Sequence, residues 1–137
     1  MTRTGVDTRR LYRFEDLTKS ISPFANRHRS ESFLRKMAEI VWQEHGRRNQ
    51  QCPDVRIGSG IKHDRYFVSF CEGRKKIELT EAQATVCVLL HGMTHAIGFG
   101  NPHGKGFVRK YFELLVQYGK CEQGPLIMDA KLFGISI

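Results

Sequence analysis

The stretch that decides the fold is Leu89-Leu90-His91-Gly92-Met93-Thr94-His95-Ala96-Ile97-Gly98, followed by Phe99-Gly100-Asn101-Pro102-His103. Three of the six histidines of the 137-residue chain lie in it. On a helix, His91 and His95 stand four residues apart and project from the same face. The glycines and the proline that follow end the helix, so that His103 can return to the same point from outside it.

This arrangement of histidines predicts a metal site. Three imidazoles with one open position are the coordination of a catalytic zinc ion, which keeps a water molecule in its fourth position. A single histidine on an apolar helix is more often a core residue whose hydrogen bonds are satisfied. Burying three unpaired imidazoles costs several kcal/mol, and a bound metal removes that cost. We therefore expect one Zn²⁺ held by His91, His95 and His103.

The sequence around this stretch predicts an α+β fold. Ser30 can begin a helix through Glu44, and Gly46 can end it. Residues 52–79 are rich in β-forming residues with glycines between them, which predicts about three short antiparallel strands. A capping box over residues 80–83 is expected to open the buried helix that carries His91 and His95.

The remaining segments complete one predicted domain. A last helix is expected over residues 105–118, and the apolar end of the chain, residues 132–137, is interpreted as an edge strand. Residues 1–29 are interpreted as an N-terminal arm or short helix, and residues 30–137 as a single metal-binding domain. The length fits one compact domain.

The composition limits the class of protein. No run of 18 apolar residues is present, so no membrane partner is expected. The four cysteines show no disulfide framework and are interpreted as reduced thiols, which favours a cytoplasmic or nucleoid-associated protein. The net charge of +8 favours DNA or RNA as a partner, and it is equally typical of a basic surface with no nucleic-acid role.

Residues 89–107 resemble the core of SprT-like zinc metallopeptidases. Those proteins carry H-E-x-x-H on a helix and a third histidine in a His-Gly-x-x-Phe context, as in His103-Gly104-Lys105-Gly106-Phe107. The order of elements over residues 30–120 is also similar. The resemblance implies a minimal zincin fold, a zinc cofactor and a protein or peptide substrate bound near DNA.

Gly92 is a departure from that family. In H-E-x-x-H the residue after the first histidine is the glutamate that takes a proton from the metal-bound water. General-base catalysis is typically worth about 10²–10⁴-fold, so a chain with Gly92 is expected to be an impaired peptidase. Helix formation gives no reason for a glycine, which weakens a helix by about 1 kcal/mol relative to alanine.

A second resemblance is to YbeY-like endoribonucleases, in which glycine does follow the first histidine. The segment from His91 to Gly98 fits their His-Gly-x-x-His-x-x-Gly pattern, but the spacing to His103 is longer and Pro102 stands in place of their aspartate. In this reading a metal-activated water and an arginine, Arg56 or Arg65, would cleave RNA. A non-catalytic metal-binding protein associated with nucleic acid is a further alternative.

Three other residues are candidates for supporting roles. Thr94 and Asn101 could donate or accept hydrogen bonds that orient the imidazoles, although both fit helix-capping roles equally well. Tyr66 could reach the site as an oxyanion donor, although a tyrosine on a strand usually packs.

Overall fold

The computed structural model describes residues 8–18, 20–58, 68–71, 74–98 and 105–135. Helices and strands are segregated along the chain, as expected of an α+β protein. They are α1 (Thr8–Leu17), α2 (Pro23–Asn26), α3 (Glu31–His45), β1 (Asp54–Ile57), β2 (Val68–Cys71), β3 (Arg74–Leu79), a 3₁₀ turn (Glu81–Gln83), α4 (Val86–Ile97), α5 (Lys105–Tyr118) and α6 (Gln123–Leu132). The α+β class predicted from the sequence is confirmed.

The sheet has three strands in the order β1-β3-β2. β2 and β3 pair as an antiparallel hairpin in which Cys71 lies opposite Arg74. β1 pairs with the other edge of β3 and runs parallel to it, with Val55 opposite Ile77. The prediction of a purely antiparallel sheet is therefore wrong. Alternating side chains identify strands and a short turn identifies a hairpin, but neither determines on which side or in which direction β1 joins.

Helix α4 lies at the centre of the molecule, against α3, α5 and the sheet. Ten of its 12 residues are buried, as its apolar sequence predicts. Its start differs from the prediction, because the Thr85 hydroxyl accepts the hydrogen bond from the Val88 amide at 3.2 Å. Thr80 makes no such bond and only opens the 3₁₀ turn. The 3₁₀ turn therefore moves the residue that caps α4 from Thr80 to Thr85, five residues later.

The C-terminal segment is helical where an edge strand was expected. Leu126 and Ala130 are fully buried one helical turn apart in α6, which Leu132 ends. Ile135 then turns back, and its amide donates to the Ala130 carbonyl at 2.8 Å. The prediction of a strand from residue 132 is wrong for residues 132–135, and residues 136–137 lie outside the described part.

The N-terminal helix α1 belongs to the same core as the rest of the domain. Leu11 and Phe14 are fully buried. The Phe14 ring stacks on Phe112 of α5 with centroids 5.5 Å apart and meets the edge of Phe133 at 5.9 Å. Helix α1 therefore packs directly beside the elements that surround α4.

Candidate metal centre

His91 and His95 meet on one face of α4, as their spacing predicts. Their ring centroids are 5.1 Å apart. His91 is fully buried, and His95 is partly exposed. Zinc–nitrogen bonds of about 2.0–2.1 Å in a tetrahedral site place two ligating rings about 5 Å apart, so this separation fits two ligands of one ion.

The contact that defines the site comes from α1. His91 Nδ1 lies 2.9 Å from Glu15 Oε2, and the side chains of both residues are almost completely buried. The Tyr111 hydroxyl of α5 donates to the same Glu15 oxygen at 2.5 Å. When Glu15 is ionised, its carboxylate only accepts hydrogen bonds, and this contact then requires the imidazole proton on Nδ1. With that tautomer, His91 would bind a metal through Nε2.

The polar chain extends one residue further into the core. Cys87 Sγ lies 3.1 Å from the Tyr111 hydroxyl oxygen. Because the tyrosine proton is directed to Glu15, the Cys87 thiol is the donor in this contact. Cys87, Tyr111, Glu15 and His91 thus form a buried hydrogen-bonded chain that joins α4, α5 and α1.

Phe107 of α5 closes the apolar side of the histidine pair. Its ring centroid lies 4.6 Å from that of His95 and 5.0 Å from that of His91. The Tyr111 ring lies 5.2 Å from His91. These rings restrict the rotation of both imidazoles and limit the access of water to them.

The donor set fits a metal ion through two histidines. A metal-ligating histidine almost always gives its second ring nitrogen to a carboxylate, a carbonyl or a water molecule, and Glu15 takes that part for His91. No group of three His, Cys, Asp or Glu side chains converges among the residues that the structure describes. His103, the predicted third ligand, lies outside them.

Gly92 faces the sheet and has a packing role that the sequence did not indicate. A Cβ atom at this position would come within 3.1 Å of Ile77 Cγ2 on β3, where Ile77 is 1% exposed. The absence of a side chain therefore allows α4 to lie close to the central strand. A glutamate at this position would first have to pass Ile77 before its carboxylate reached the histidines.

The other predicted site residues have different outcomes. The Thr94 hydroxyl donates to the Leu90 carbonyl at 2.7 Å, so its proton stays within α4 and does not reach an imidazole. Arg56 is exposed on β1 and pairs with Asp54 at 2.9 Å, which raises the pKa of the guanidinium. Three further residues lie outside the described part of the chain, namely Arg65, Tyr66 and Asn101.

Two cations hold the C-terminal end of α4. Arg47 Nε donates to the Ile97 carbonyl at 2.7 Å, and the Lys75 ammonium donates to the Ala96 carbonyl. Positive charge is favourable here because the last carbonyls of a helix carry partial negative charge. Burial, and then the charge of Arg47, lower the pKa of Lys75. The guanidinium of Arg47 also occupies the space beside Gly98, whose φ of 128° suits glycine.

Comparisons with protein-family models, with curated proteins and with solved structures find no match for this chain. No helix in the described ranges is long and apolar enough to cross a membrane. Cys87 and Cys121 are buried, and Cys52 is partly buried.

Sequence reasoning missed Glu15 and Tyr111, the two residues that contact His91 from other helices. Glu15 lies in the segment interpreted as an N-terminal arm or short helix, and Tyr111 lies in the last predicted helix, over residues 105–118. A signal was present, because Leu11, Phe14 and Glu15 share one face of α1 at helical spacing. A carboxylate on an apolar face is a buried group that needs a partner.

The contact between Gly92 and Ile77 predicts an energetic coupling. Gly92→Ala gains helix propensity but presses on Ile77 Cγ2, and Ile77→Ala removes that atom. We expect Gly92→Ala to be at least about 0.5 kcal/mol more favourable when it is combined with Ile77→Ala than in the wild type. Urea unfolding of the wild type, the two single variants and the double variant measures this coupling.

Gly124→Ala is the matched control, because a Cβ atom at Gly124 in α6 meets nothing within 4 Å. Its effect is expected to add to that of Ile77→Ala. Additive free energies for the Gly92 pair as well would contradict the packing role of Gly92.

Proposed function

We propose that this chain is a zinc-binding domain of the SprT-like metallopeptidase type whose peptidase chemistry is impaired by Gly92. The observation that carries the proposal is the Glu15 carboxylate on Nδ1 of buried His91, with His95 beside it on α4. This arrangement directs one nitrogen of His91 to a carboxylate, as is usual for a histidine that binds a metal through its other ring nitrogen. The proposed third ligand is His103.

Each residue has a distinct part in this proposal. Bound zinc would acidify a water molecule and polarise a substrate carbonyl. His91 and His95 hold the ion, Glu15 fixes the ring of His91, and Phe107 restricts water. Proton transfer lacks a residue, since Gly92 has no side chain and the Glu15 carboxylate is buried and occupied by His91 and Tyr111. The proposed substrate is a protein or peptide, and the proposed compartment is the cytoplasm or the nucleoid.

The close approach of Gly92 to Ile77 favours a second candidate. A glycine that the packing of α4 on β3 requires is better explained as an original feature than as the loss of a glutamate. That is the pattern of the YbeY-like endoribonucleases, and it also fits a metal-binding protein without catalysis. Arg56 does not supply the arginine that the ribonuclease hypothesis needs, because it pairs with Asp54 on β1.

Zinc binding is the first test. Protein purified without chelator is expected to contain one zinc ion per chain by elemental analysis, and His91→Ala, His95→Ala and His103→Ala are expected to lose it. Glu15→Gln keeps the shape of the side chain but removes its negative charge beside His91. The zinc affinity of this variant in a chelator competition should therefore fall about 10–100-fold.

His45→Ala is the control for the zinc experiment. His45 contacts Gln117 at 2.9 Å on the α3–α5 surface and is not a predicted ligand. Its zinc content should equal that of the wild type. Absence of stoichiometric metal from the wild type, or unchanged zinc in the His91 and His95 variants, would overturn the proposal.

Restoring the base is the second test. Gly92→Glu, made together with Ile77→Ala so that the new side chain has room beside β3, is expected to gain zinc-dependent cleavage of an unfolded protein by about 10²–10⁴-fold over the Ile77→Ala variant, because it supplies the missing proton-transfer group. Gly92→Gln, also made together with Ile77→Ala, is the matched control, since it has the same size but cannot take the proton. Both are assayed with and without single-stranded DNA, and on structured RNA.

The outcomes separate the two candidates. Peptide cleavage by the Glu variant alone supports the peptidase. Metal-dependent RNA cleavage by the wild type, lost in the Glu variant because a new carboxylate repels phosphate, would establish the ribonuclease instead.

A further inference from the structure

A second feature of the molecule lies where the chain after α5 meets the chain before α3. Ser22 Oγ donates to the Gly119 carbonyl at 2.5 Å, and the Ser22 amide contacts Cys121 Sγ at 3.4 Å. These bonds hold Lys120 beside Phe24. We call the group Phe24, Arg29, Phe33 and Lys120 the cation–aromatic patch.

The patch concentrates positive charge on two rings. The guanidinium carbon of Arg29 lies 4.6 Å from the centroid of Phe24 and 4.5 Å from that of Phe33. The Lys120 ammonium lies 4.5 Å from the Phe24 centroid. The two charges are therefore no more than about 9 Å apart, close to the Debye length at physiological salt.

No carboxylate among the described residues neutralises this charge. The Arg29 side chain donates one hydrogen bond, from Nη2 to the Phe24 carbonyl at 3.3 Å, while its Nε is buried without a hydrogen-bond partner in the described part of the chain. Neither Arg29 nor Lys120 forms an ion pair with any residue that the structure describes. An unmet buried donor beside a second cation is unfavourable for the folded protein alone.

The backbone of Lys120 is also unfavourable for stability. Lys120 has φ 56°, and the Cys121 amide donates to the Leu115 carbonyl at 3.1 Å across it. Glycine adopts this left-handed backbone far more readily than a residue with a Cβ atom. A lysine there adds strain and charge where the fold alone would prefer a glycine.

The two uncompensated charges have a common explanation in a bound anion. Phe24 and Phe33, whose ring planes lie 64° apart, both contact the Arg29 guanidinium and restrict its motion, and a guanidinium is well suited to bind a phosphate group. The Lys120 ammonium supplies a second positive charge near it. The net charge of +8 favours an extended polyanion over a single acidic group.

We propose that the cation–aromatic patch binds the phosphodiester backbone of a nucleic acid. The patch contains no predicted zinc ligand, so this inference and the proposed metal site can fail separately. Arg27, which is exposed next to the patch, extends the same basic surface.

The test is the binding of labelled single-stranded DNA, single-stranded RNA and duplex DNA by fluorescence anisotropy over a range of salt concentrations. Lys120→Gly is expected to weaken binding several-fold and to reduce the slope of log K against log salt by about 0.7 for single strands or 0.9 for duplex DNA. Its thermal midpoint should equal or exceed that of the wild type, because glycine suits the left-handed backbone. Comparison of the three nucleic acids identifies the one that binds best.

Lys131→Gln is the matched control. It removes one positive charge from an exposed position in the last turn of α6, away from the patch, and should leave affinity near that of the wild type. Equal losses of affinity in both variants would mean that only the overall charge of the protein matters, and they would overturn the proposal. A lower thermal midpoint for Lys120→Gly, no binding by the wild type, or equal binding of polyglutamate would also overturn it.

Discussion

The hydrogen bond between Glu15 and His91 is the interaction on which the rest of the structure depends. Both side chains are almost fully buried, and neither could stay there without a partner. Removing one partner of a buried ionisable pair typically costs about 3–5 kcal/mol, because the other is left without compensation. The bond therefore joins α1 to the central helix and at the same time fixes which nitrogen of His91 can bind an ion.

The same constraint explains why the site is assembled from distant parts of the sequence. Tyr111 on α5 completes the hydrogen bonding of Glu15, and Phe107 on the same helix packs against both imidazoles. Towards the sheet, Ile77 of β3 occupies the space beside Gly92. Helix α4 is thus held by polar contacts on its histidine face and by close apolar packing on its glycine face. A metal held there would lie between elements that are already fixed in place.

The sequence predicted what depends on local periodicity. It predicted α3, α5 and the histidine pair of α4 because helical spacing and caps are encoded within a few residues. It did not predict that β1 runs parallel to β3 or that residues 123–132 are helical, since strand order and the packing of Leu126 and Ala130 are set by distant partners. Glu15 was missed for the same reason, as its partner is 76 residues away. The zinc ion and the role of His103 stay predictions.

Nitrogen NMR of the histidine side chains tests the central claim most directly. In long-range nitrogen–proton spectra, His91 should carry its proton on Nδ1 before and after metal is added, and zinc should shift the Nε2 resonance of His91 while also shifting His95. With Glu15→Gln the fixed tautomer of His91 should be lost or weakened. A proton on Nε2 of His91 in the metal-loaded protein, or no response of His91 to zinc, would contradict the account.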